Sequence, residues 1–228
     1  MTRSGRKTRL AIVALTAAAL TGCSVHPGVA ATVGQDTITI DRVTDVAQAL
    51  CSANSTGAQN PDAPAVASRG ALQGALQVLL DTELSHQFGE REHARVDQRQ
   101  VSAALAGNAQ SMASLPEDER EAFRTALKGY ASGQLMLIDV GRKSLAKQGK
   151  TDVSNDQALA EGTRLRDEYT KTVDIEVDPR FGTIADGGTL QAKSGSLSVP
   201  ASQSAVEGAK DGPSAGWVSG LPASQQCG

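Results

Sequence analysis

Two long runs of apolar residues at helical spacing dictate what this chain builds. Between Val66 and about His93, the residues Leu72, Leu76, Leu79, Leu80, Leu84 and Phe88 recur along one side, as the buried stripe of an amphipathic helix requires. A second stripe passes through Phe123, Leu127, Tyr130, Leu137, Ile138 and Leu145. It opens on Ser114-Leu115-Pro116 and the acids Glu117, Asp118 and Glu119, and closes on Lys147, Gly149 and Lys150. Proline and acids first, cations last, is the order that a helix and its dipole favour. Neither stripe can bury itself, so the two helices need each other or a further layer. The chain has three Phe, two Tyr and one Trp, so Leu, Val and Ala must fill the core, which suits packed helices better than a β-sandwich.

Shorter elements flank these two. Val29 to Val33, a turn at Gly34-Gln35-Asp36, and Thr37 to Ile40 read as a β-hairpin. Asp41 is placed to cap a helix carrying Val43, Val46, Ala47 and Leu50 and ending near Cys51. Ser52 to Pro64, rich in Ala, Ser, Asn, Gly and Pro, reads as a loop. Asp97 is placed to cap a helix that buries Val101, Ala104, Leu105 and Met112, and Ser154 or Asn155 starts another through Leu159, Leu165 and Tyr169. Val173-Asp174-Ile175-Glu176-Val177 alternates apolar with acidic and reads as one strand with a wet face, followed by a turn at Asp178-Pro179-Arg180-Phe181-Gly182. From Thr183 onward periodicity is lost, which predicts an extended or disordered tail tied down near Leu197 to Val199 and near Cys227.

The first residues speak of export. Arg3, Arg6, Lys7 and Arg9 precede an apolar run from Leu10 to Leu20 that is too short to remain as a spanning helix. Leu20-Thr21-Gly22-Cys23 then matches a lipobox, predicting a cleaved lipoprotein signal peptide at 1–22 and a diacylglyceryl Cys23. Two or three acyl chains, at about 0.8 kcal/mol per buried methylene, would hold the chain firmly on the membrane. Cleavage would remove four of the 22 cations and leave 18 against 25 acids, a net charge near −7 that argues against nucleic acid as a partner. In an oxidising compartment Cys51 and Cys227 invite a disulfide, the alternative being two unpaired thiols.

The segments Ala31-Thr32-Val33-Gly34, Thr37-Ile38-Thr39-Ile40-Asp41 and Val177-Asp178-Pro179-Arg180-Phe181-Gly182, in this order of elements, resemble the N-terminal domain of the periplasmic chaperone SurA. The likeness is to short actinobacterial lipoproteins that carry this domain alone, without a parvulin prolyl isomerase domain. It implies a mostly α fold in which the late strand pairs with the opening hairpin in a small antiparallel sheet, bringing Cys51 and Cys227 within reach of each other. The expected organisation is a lipidated tether at 23–28, the helical SurA N-terminal-like domain at 29–182 and a Gly/Ser/Ala/Pro-rich tail at 183–228.

Motifs for catalysis and metal binding have plainer readings. Ser144-Leu145-Ala146-Lys147 matches the Ser-x-x-Lys of penicillin-recognising enzymes, and Lys193-Ser194-Gly195 imitates their Lys-Thr-Gly. However, Ser154-Asn155-Asp156 follows Lys147 too closely and Lys193 falls in the tail, so a solvated helix end is expected. Glu83, His86, Glu90 and His93 line one side of a helix, but positions two turns apart do not share an ion without a second element, so they read as the polar border of the Leu72 stripe. Neither cofactor, metal, catalytic set nor small-molecule substrate is expected. The expected role is that of an extracytoplasmic, membrane-anchored lipoprotein, chaperone-like, binding unfolded or extended polypeptides or an envelope protein partner; the alternative is a scaffolding lipoprotein of the cell envelope. The candidate apolar binding surface is Leu80, Leu84, Phe88, Phe123, Leu127 and Tyr130.

Overall fold

A computed structural model of the chain describes residues 27–55, 66–191, 199–210 and 212–227. Cys23, most of the expected loop, Lys193 to Gly195 and Leu197 lie outside the described residues. The chain order is β1 (Val29–Val33), β2 (Asp36–Thr39), α1 (Ile40–Ser55), β3 (Val66–Ala67), α2 (Ser68–Arg91), α3 (Gln98–Gly107), α4 (Ala109–Ser114), α5 (Glu117–Lys147) and α6 (Asn155–Thr170). Then come β4 (Ile175–Val177), β5 (Thr183–Ile184), β6 (Leu190–Gln191), α7 (Gln203–Gly208), α8 (Ala215–Ser219) and β7 (Gln226–Cys227). The protein is therefore mostly helical, with a small antiparallel sheet.

That sheet has the order β2-β1-β4, so the late strand does close on the opening hairpin. Ala31, Thr32 and Val33 face Val177, Glu176 and Ile175. Gly34 takes φ 60° at the first central position of the hairpin turn, where a side chain would be strained, and its N–H donates to the Asp174 carbonyl. The period-2 pattern survives in β4: Ile175 and Val177 are half-buried and Glu176 is exposed. The turn after β4 is fastened from both sides. Asp178 accepts hydrogen bonds from the Arg180 backbone N–H and guanidinium, which hold its carboxyl below the usual range, and Gln73 donates to the Phe181 carbonyl. Phe181 thereby enters the main core with Val33, Ile38, Val43, Leu76, Leu80 and Leu84.

The helices start and stop where local chemistry directs. Helix α1 begins two residues earlier than expected and runs on to Ser55; Thr39 Oγ1, rather than Asp41, accepts from the Arg42 N–H, and Asp41 sits in the first turn. Asp97 caps α3 by accepting from the Arg99 N–H. The helix expected to continue through Met112 breaks at Asn108, whose side chain donates to the Ala104 carbonyl. Gly107 and Asn108 are both poor helix formers, and that competing bond favours the break. A reciprocal capping box of Ser154 and Gln157 starts α6.

Helices α5 and α6 touch through backbone. A Cβ on Gly141 would lie 1.8 Å from the Ala158 carbonyl oxygen, and one on Gly162 would lie 2.0 Å from that of Leu137. Small residues also line the α2–α5 contact, where Gly129 and Gly133 face Thr82 and Ser85.

The tail departs from expectation. Beyond the β5–β6 hairpin it forms α7 and α8, and Trp217 packs on Gly208 and donates from its indole to Ser204 Oγ. Val199 is 88% exposed and ties nothing down. The expected tie near Cys227 is present: β7 pairs with β3, Ser68 Oγ donates to the Gln226 carbonyl, and the expected Cys51–Cys227 disulfide joins sulfurs 2.01 Å apart.

Candidate functional site

The six residues expected to form one apolar surface divide between core and cleft. Leu80 and Leu84 are fully buried in the main core, and Phe88 packs in a separate cluster with Leu137 and Val140 and against the Tyr169 ring. A helical stripe reports which residues face inward, and these three face the most deeply buried side of α2. Phe123, Leu127 and Tyr130 do come together. With Val46 and Leu50 of α1, Val78 of α2, Asn108 and Ala126 they line a cleft of about 270 Å³. Phe123 forms its floor, packed with Ala49, Ala53 and Leu115, whereas Tyr130 is 42% exposed at its rim.

Val46 and Ala126 border a second hollow of about 620 Å³ on the same pair of helices. Most of the residues around it are polar or charged: Thr39, Asp41, Arg42, Asp45 and Gln48 from the α1 side, and Asp118, Glu119, Glu121 and Thr125 from α5. The acids of α5 were read in sequence as favouring a helix N-terminus, which they do; that Asp41 and Asp45 stand opposite them depends on tertiary packing and left no local signal. A third hollow of about 630 Å³ lies along Gly70, Gln73, Gly74, Gln77 and Asp81 of α2, beside Arg166 and β6. There Gln77 accepts from the Leu190 N–H and donates to the Gly188 carbonyl, and burial raises the Asp81 carboxyl above its ordinary value against the pull of Arg166.

The chemical motifs take up structural duties. Ser144 Oγ donates to Glu161 at 2.7 Å, Lys147 is exposed, and Ser154 is a helix cap. Arg164, Ser144 and Gln148 donate hydrogen bonds to Glu161 and hold its carboxyl down to about 2. His86 Nε2 donates to the Gly129 carbonyl, Glu83 accepts from Gln87, and His93 lies past the end of α2 at φ 51° with its carbonyl accepting from Lys143. Among the described residues no group of three His, Cys, Asp or Glu is placed to hold a metal ion, and no helix is long and apolar enough to cross a membrane.

No family model matches this chain, and neither does any curated protein or solved structure.

Proposed function

We propose that this protein is a membrane-anchored extracytoplasmic lipoprotein that binds polypeptide segments, or an extended part of a protein partner, in a chaperone-like manner and without catalysis. The observation that carries this reading is the cleft between α1 and α5, with an apolar floor at Phe123 and Leu127 and a half-open aromatic rim at Tyr130. Its volume of about 270 Å³ falls below the usual range of small-molecule pockets, about 300–1,000 Å³, and suits an apolar side chain carried on a chain. A Tyr at the rim adds stacking area at low entropic cost. The order of elements, with its resemblance to the SurA N-terminal domain, supports the same role, and the lipobox at Cys23 supports the membrane anchor.

Two measurements test it. The purified full chain is expected to slow aggregation of a denatured test protein, and Leu127→Ala with Tyr130→Ala is expected to lose that protection while keeping the helical circular dichroism of the parent. Equal protection by both proteins, or by neither, would remove the cleft from this role. In cells, labelled palmitate is expected to enter the chain and to be absent from Cys23→Ser, which should leave the membrane fraction; labelling that persists in Cys23→Ser would refute the anchor.

A further inference from the structure

Glu119 is a buried carboxylate with one oxygen unused. It is 7% exposed, in the first turn of α5; its Oε1 accepts from Gln48 Nε2 at 2.9 Å, and its Oε2 has no hydrogen-bond partner among the described residues. Buried acceptors left in that state are rare and call for a cause. Glu119 stands in the wall of the second hollow with Asp41, Asp45, Asp118 and Glu121, five carboxylates against the single guanidinium of Arg42. Glu121 accepts from the Thr125 hydroxyl, yet the ion pairs among the described residues include none of the five. Their charge is too dispersed for one metal ion, since no three of them gather as ligands would. Dispersed negative charge along a trough instead matches several cationic side chains spaced along a chain.

We propose that the polypeptide segments bound by this protein are basic, with lysine or arginine side chains occupying the trough of Asp41, Asp45, Asp118, Glu119 and Glu121 while an apolar neighbour occupies the cleft. The proposal rests on the polypeptide-binding reading above, and it names the class of segment. The two hollows have Val46 and Ala126 in common, so one bound chain meets both along the α1–α5 seam. Oε2 of Glu119 is without a partner and closed to solvent, so a bound cation reaches it only as the wall of the trough shifts.

The test uses the purified full chain and three fluorescent peptides that share the same leucines, with lysine, serine or glutamate at every other position. By anisotropy at low salt, the lysine peptide is expected to bind at least about tenfold tighter than the serine peptide, and the glutamate peptide weakest, with the preference shrinking as salt is added. Asp45 and Glu121 are exposed, so Asp45→Asn with Glu121→Gln should fold normally and erase most of the lysine preference while leaving the serine peptide unchanged. Equal binding of all three peptides, or a lysine preference that survives Asp45→Asn with Glu121→Gln, would overturn the trough and leave polypeptide binding standing. Binding of none of the peptides would sink the polypeptide reading itself. Displacement of the lysine peptide by calcium far beyond the effect of sodium at equal ionic strength would also overturn the proposal, by making the trough a cation site.

Discussion

At the scale of single residues, glycines carry opposite duties that their neighbours decide. Gly141 and Gly162 let α5 and α6 approach until a Cβ would strike a carbonyl oxygen, and backbone cannot yield as a flexible side chain can. Gly74, exposed within α2, has open space where its Cβ would be. Alanine is favoured over glycine inside a helix by about 1 kcal/mol, so Gly74→Ala is expected to raise stability by about that much. Gly141→Ala and Gly162→Ala gain the same propensity and are still expected to lose about 1–3 kcal/mol or more to overpacking. Urea midpoints read the two signs directly; a stabilised Gly141→Ala would refute the backbone contact. Nothing in the sequence separates Gly74 from Gly141, because the difference lies in which helix stands opposite. The same blindness explains why Leu80, Leu84 and Phe88 were grouped with Tyr130: periodicity shows an inward face, and only packing shows whether that face is covered.

At the scale of elements, α5 and α6 are joined a second time near their loop. Glu161 on α6 accepts from Arg164 on its own helix and from Ser144 on α5, and these bonds depress its carboxyl from an ordinary 4.5 to about 2. A carboxylate whose folded pKa is depressed adds stability that is fully present above its unfolded pKa and fades as the pH falls through the folded one. Glu161→Gln is therefore expected to be less stable than the parent at neutral pH, to close the gap as the pH falls from 4.5, and to match the parent only once the pH is below about 2. Denaturation curves across that window would show it, and a gap independent of pH would rule out the ionised form as its source. Elements with a strong period or cap were legible in advance: α2 and α5 from their stripes, α6 from Ser154, and β4 from its alternation. The break at Asn108 was missed because Val101 through Met112 keep helical spacing across it, and spacing does not register a side chain bonding its own backbone. Strands β3, β5, β6 and β7 have two residues each, too few for any period, and their pairing is decided by what lies far away in sequence.

At the scale of the whole molecule, two closures of different character bring the chain ends home. The first, β1 with β4, sits on the main core: Val33 and Ile38 are buried there, and Ile175, Val177 and Phe181 pack with them. Alternation made β4 readable as a strand, whereas its pairing with the hairpin was expected only from the family resemblance. The second returns the tail to α1 and α2 through the Cys51–Cys227 bond, a two-residue β3–β7 ladder that is marginal alone, the Ser68–Gln226 hydrogen bond and the buried Val218 of α8. The bond spans 176 residues, and on the chain-entropy model a loop of that size is worth up to about 5 kcal/mol. Yet no residue beyond Leu190 belongs to any of the three apolar clusters, so the helical body has its own core without the tail. Reduction, or Cys227→Ser, is accordingly expected to lower the melting temperature, to open residues 199–227 to limited proteolysis, and to leave a protected fragment from Val29 to about Gln191 with its helical signal intact. Loss of that signal together with the tail would mean that the clasp holds the body and not merely the chain end, and the division into a self-sufficient helical unit and a fastened tail would have to be given up.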